Sequence, residues 1–188
     1  MTSAEETDFP YAAAEGVQQE IEQETELDDE ISSFWEVARV HAGLGKIAVV
    51  GGLTVSAGIP PVAWAFGDNQ VIADELLALV LAGTKTGTSS ALSDFDAEDS
   101  PQPVVGELSI ILDGRGHPAA LIRTTEVEVV AFEDVDAGFA AAEGEDDRSL
   151  ESWRAEHTTY FLRTLGVDAL PEDFQLVTER FELLYPAR

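Results

Sequence analysis

The sequence predicts an α+β fold: a small, mostly antiparallel barrel or curled sheet flanked by helices. Three observations carry that expectation. Segments with strand character and segments with helical spacing are mixed, without a regular strand–helix–strand alternation. The run ELSIILD, GRGH, PAALIRTTEVEVVAF (107–132) reads as two strands joined by a short hairpin loop. No GxGxxG fingerprint of a doubly wound nucleotide-binding sheet occurs. At 188 residues the chain suits one compact domain and can bury a real core.

Taken in order, residues 1–30 stand apart. Their charges are all acidic, from Glu5 to Glu30, with no Lys or Arg among them. Like charges in a block repel, so this stretch is expected to be a disordered or loosely helical tail, with the domain proper at 31–188. From Ile31, the residues Phe34, Trp35, Ala38 and His41 fall on one helical stripe, stopped by Gly43 and Gly45. KIAVV (46–50) and VAWAF (62–66) read as short strands around the turn signal GIPP. Asp68 or Asn69 then offers an N-cap for the helix VIADELLALVLA (71–82), which is apolar nearly all round and should be buried. Gly83 is placed to stop it.

A loop at 84–90 and a polar connector, LSDFDAEDSPQP, lead to the hairpin. Phe139 and its neighbouring alanines suggest a short helix. EGEDDRS is a loop, with Ser149 the N-cap of an amphipathic helix over 150–165 that ends at Gly166. FQLVTERFELLY (174–185) is the last strand.

Charge restricts the partners. The net charge is −27, from 37 acids against 10 Lys and Arg. Nonspecific affinity for a nucleic-acid backbone comes mainly from Lys and Arg displacing counterions. Any role with nucleic acid must therefore reside in a local pocket, because no broad basic face can exist. The absence of cysteine excludes disulfides and thiolate metal sites. The acidic, polar start is unlike a signal peptide, and no apolar run is long enough to span a membrane. A soluble cytoplasmic protein without membrane contact is expected, and no cofactor motif is present.

Lys85 is one of only two lysines. It follows the apolar helix in GTKTGTSS, among Thr84, Thr86, Thr88, Ser89 and Ser90, with Gly83 and Gly87 allowing a ligand close to the backbone. It could cap the helix C-terminus, or bind an anion, or act as base or nucleophile if burial lowers its pKa. GTKTG is no Walker loop, since GxxxxGK[ST] is missing. Glu143, Glu145, Asp146 and Asp147 precede the 150–165 helix, where carboxylates suit the helix dipole, general acid/base work or a divalent ion. Trp153 and His157 share a helix face, with Arg154 beside them. Glu179 lies on the strand face of Val177 and Phe181, and Arg123 or Arg154 could pair with it. No GxSxG elbow supports a serine hydrolase.

These segments, in this order, resemble the ASCH-domain family in its longer bacterial branch: ADELLALVLAGTKTGTSS, VVGELSIILDGRGHPAALIRTTEVEVVAF, AAEGEDDRSLESWRAEHTTYF and LVTERFELLYP, with FW (34–35) and WAFGD (64–68). The resemblance covers roughly residues 30–186. It implies a PUA-like β-barrel with flanking helices and a link to RNA or modified nucleosides. Small members hydrolyse N4-acylated cytidines, and a ribonuclease activity is described in the family. The family's GxK motif maps onto Gly83 and Lys85, with Thr88 three residues beyond. A glutamate of the acidic loop completes the set, Glu145 first and Glu143 second. Small members carry an arginine shortly after the threonine; here SSAL has none.

Two classes of function follow. One is a pocket amidohydrolase using Lys85, Thr88 and Glu145 on an acylated nucleobase such as N4-acetylcytidine. Its ligand would be held by Trp64, Phe66, Asp68, Gly83, Thr86, Ser89, Glu143, Trp153, Arg154 and His157. The other is a binding module for a nucleoside, nucleotide or short RNA without chemistry. Metal-dependent RNA cleavage by the acidic loop is a further alternative, although no metal site is assigned.

Overall fold

In this computed structural model, residues 11–44, 59–96 and 101–186 are described, with side chains from Thr25 onward. The KIAVV strand expected at 46–50 lies outside the described residues, as do residues 1–10 and part of the polar connector.

The first helix, α1 (Tyr11–His41), begins well before Ile31, inside the acidic stretch. Ala, Gln and Glu are strong helix formers, and their summed propensity supports a helix where charge alone suggests disorder. Its stripe is the expected one. Trp35 and Ala38 are buried against Ile110 and Leu121, and Phe34 meets Tyr185 edge-on at 5.5 Å.

Five strands form one sheet in the order β1-β3-β4-β5-β2. They are β1 (Val62–Trp64), β2 (Gly87–Ala91), β3 (Leu108–Leu112), β4 (Pro118–Ala131) and β5 (Gln175–Tyr185). All pairings are antiparallel except β1 with β3. The sheet curls into a half-barrel. Strand β2 falls where a loop was expected. Gly, Ser and Thr read as loop in isolation, but here they take the edge beside β5, with Gly87 opposite Arg180 and Ala91 opposite Leu176. Tertiary pairing overrides weak local propensity.

Successive strand residues face opposite sides, and both sides of this sheet are covered. Ile110 packs under α1 while Ile111, its neighbour, packs under the second helix, α2 (Gln70–Ala82), with Leu77 and Val80. Asn69 is the N-cap of α2, accepting from Val71 and Ile72 at 3.1 Å. Gly83 ends it in the left-handed conformation, φ 71°. The short helix α3 (Ala137–Glu143) and the longer α4 (Leu150–Leu165) close the remaining edge around Phe139, Trp153, Phe161 and Leu176. Ser149 caps α4 as expected, and Gly166 ends it. Among the described residues no helix is long and apolar enough to cross a membrane.

Candidate functional site

Lys85 is 2% exposed, and among the described residues every other charged group but Glu143 reaches the surface at least in part. It does not cap α2. The carbonyls of Leu79 and Val80 already accept from the backbone N–H groups of Gly83, Thr84 and Lys85 at 2.9–3.1 Å. The ammonium is therefore free to reach across the chain. Its Nζ donates to Glu143 Oε2 at 3.0 Å and to Glu145 Oε1 at 2.7 Å, and lies 5.3 Å from the Phe66 ring centroid.

A backbone docking brings these groups together. Thr86 N donates to the Ala142 carbonyl at 2.7 Å, joining the start of β2 to the end of α3. Gly144 then turns the chain at φ +77°, where a Cβ would lie 2.5 Å from the Thr84 carbonyl oxygen. Only glycine combines that conformation with that approach. Glu143 and Glu145 consequently flank Lys85.

Glu143 is 1% exposed and fully partnered. Besides Lys85, it accepts from Ser89 Oγ at 2.7 Å and Trp153 Nε1 at 3.1 Å, and His157 Nε2 stands 3.4 Å away. Burial favours the protonated acid, but Lys85, His157 and Ser89 outweigh it and hold the carboxyl well below the ordinary glutamate range. The lysine reverses the expectation of a lowered pKa. Burial lowers it, yet Glu143 and Glu145 together push it above the ordinary value. Lys85 is thus a buried ammonium, not a free amine.

Beside this triad opens a cavity of about 240 Å³. Of the residues singled out in the sequence, Lys85, Thr88, Ser89, Glu143, Glu145, Phe66 and His157 line it. The others do not. Trp153 is buried with its ring stacked between Phe132 and His157, so no base can stack on it. Arg154 donates to the carbonyls of Glu133 and Val135. Gly83 and Thr86 act through the backbone, as helix stop and strand docking. Asp68 pairs with Arg163 at the cavity's edge. Trp64 meets Phe66 edge-on at 4.6 Å but lines a different, neighbouring cavity.

The sequence reading missed Tyr160 and Arg163, which α4 brings to the same lining as His157. Their spacing, 157, 160 and 163, is one helical face and was the available signal. Arg163, paired with Asp68, places a cation on this lining. Among the described residues, Glu179 has no arginine partner. Arg123 pairs with Glu182, and Glu179 accepts from Thr124 Oγ1 at 3.2 Å. Burial pushes its carboxyl up; Thr124 lowers it and Glu107 raises it further. Among the described residues, no group of three or more acidic or histidine side chains is placed to hold a metal ion.

The curled five-stranded sheet with flanking helices, carrying a lysine and two carboxylates at its edge, defines a PUA-like α+β protein. The ASCH domain model matches residues 62–185, and the chain belongs to the ASCH-domain family. Among solved structures, it is similar to the ASCH domain from Lactobacillus crispatus JV V101, at 26% identity and TM-score 0.62, over 77% of this chain and 94% of that one. It is also similar to a protein from Enterococcus faecalis V583, at 31% identity and TM-score 0.66, over 85% of this chain and 97% of that one. Comparison with curated proteins finds no match.

Proposed function

We propose that the Lys85 cavity is the active site of an amidohydrolase acting on an acylated nucleobase, with N4-acetylcytidine the type substrate. The observation that carries the reading is the buried ammonium held between two carboxylates of unequal exposure. Glu143 is sealed, and its role is to fix Lys85. Glu145, with 31% of its side chain exposed, opens onto the cavity and is the group able to exchange protons with a ligand.

The raised lysine pKa reshapes the chemistry expected of these residues. Glu145 removes a proton from water, which attacks the acyl carbon. The Lys85 ammonium donates to the oxygen that becomes negative as the C=O bond opens. The intermediate collapses, the C–N bond breaks, and Glu145 returns its proton to the leaving amine nitrogen. The products are a carboxylic acid and the free cytosine amine. Thr88 and Ser89 supply hydroxyls to orient the amide, and Phe66 an apolar wall for the ring.

The test is release of cytidine from N4-acetylcytidine by the purified protein and by Glu145→Gln. Loss of a general acid/base costs about 100-fold or more in kcat. The reading fails if the wild-type protein shows no turnover, or if Glu145→Gln is as active as wild type.

A further inference from the structure

The five-stranded sheet presents a second cavity, about 390 Å³, on the face that α2 covers only in part. Every strand contributes to it: Trp64 from β1, Thr88 and Ser90 from β2, Ser109 from β3, Thr124 from β4 and Glu179 from β5. Strand alternation explains the set. Ser109 is two residues from Ile111 and Thr124 two from Ile122, so all lie on the side of the α2 core. Where that core ends, the same face turns polar.

Thr88 lines both this cavity and the Lys85 cavity, and the touching rings of Phe66 and Trp64 stand one in each. The two spaces therefore adjoin. Their chemistry differs. Among the described residues, the second has no Lys, Arg or His in its lining, but has two carboxylates, Glu107 and Glu179, and four hydroxyls. Among the described residues, the Trp64 indole N–H and the Ser90 and Ser109 hydroxyls make no hydrogen bond. A phosphate would meet two carboxylates and no cation. An uncharged ring bearing hydroxyl groups would find acceptors in Glu107 and Glu179, further hydroxyl partners, and an indole face for its C–H surface.

We infer that this five-strand cavity is a sugar subsite, in which Trp64 and Glu179 hold the pentose of a nucleoside whose base enters the Lys85 cavity. The identity of the base rests on the amidohydrolase reading above; the sugar chemistry rests on the second cavity alone. The site would therefore favour a nucleoside over both the free base and the 5′-phosphorylated nucleotide.

The experiment is a calorimetric titration of the full chain with cytosine, cytidine and cytidine 5′-monophosphate, which needs no turnover. Wild type is expected to bind cytidine about tenfold more tightly than cytosine, the size of one aromatic platform contact. The monophosphate should bind more weakly than cytidine. Trp64→Ala should erase most of the cytidine-over-cytosine preference. Glu179→Gln, nearly isosteric and so gentler on folding, should narrow the gap between cytidine and its monophosphate about threefold. Equal affinity for cytosine and cytidine, no binding of cytidine, or a preference that survives Trp64→Ala in a folded variant would overturn the inference. The two readings fail separately. Amide turnover without a sugar preference removes the subsite alone, and a sugar preference without amide turnover removes the hydrolase alone.

Discussion

Lys85 Nζ and Glu143 Oε2 lie 3.0 Å apart, both side chains almost wholly buried and separated by 58 positions in the chain. Removing one partner leaves the other charge stranded. Breaking such a pair costs about 3–5 kcal/mol, more than the pair itself contributes relative to apolar replacements. Lys85→Met should therefore destabilise strongly. Combined with Glu143→Gln, the loss should be less than additive, with a coupling of about 2 kcal/mol. Urea unfolding of the two single variants and the double variant measures this. Additive losses would mean that the ion pair does not join β2 to α3.

The same pair sets a pH signature. The Glu143 carboxyl is lowered in the folded protein, so its contribution is complete above the ordinary glutamate value of 4.5 and is lost as pH falls below it. Lys85 is raised, so its contribution is complete below 10.5 and is lost as pH rises beyond. Thermal unfolding should show a plateau between these limits. Glu143→Gln should flatten the acid limb; an unchanged acid limb would deny that Glu143 titrates abnormally.

Glu179 has the opposite sign. Its carboxyl is raised in the folded state, so its ionisation opposes folding at neutral pH. Glu179→Gln is expected to raise the melting temperature at pH 7, and the gain should vanish below the ordinary glutamate pKa, where both states are protonated. A lower melting temperature at pH 7 would show that the carboxylate has a stabilising partner.

Gly144 is the hinge of the site. At φ +77° with the Thr84 carbonyl at 2.5 Å from a would-be Cβ, Gly144→Ala combines strain with a clash against backbone. A cost of about 1–3 kcal/mol is expected. Nucleobase binding should weaken as well, because Glu145 follows directly. Full stability and binding in this variant would remove Gly144 from the account.

Much of the fold could be read from periodicity and punctuation. The α2 helix, with Asn69 before it and Gly83 after it, and α4 between Ser149 and Gly166 need only local rules. The hairpin around GRGH does too. What escaped is tertiary. GTSSA became β2 only because β5 offers an edge. At the site, Lys85 and Glu145 were legible from the motif. The burial of Glu143, however, depends on Ser89, Trp153 and His157 converging from two elements, which no local pattern reveals. Trp153 and Arg154 read as ligand groups because aromatic and basic residues suit nucleobases; one is committed to Glu143 and the other to backbone carbonyls.

The most direct test of the central claim is a crystal structure of Glu145→Gln soaked with N4-acetylcytidine. The account predicts the acetyl group in the Lys85 cavity, its carbonyl oxygen within hydrogen-bond distance of Lys85 Nζ and the base against Phe66. A ligand bound elsewhere, with Lys85 still closed between residues 143 and 145, would contradict it.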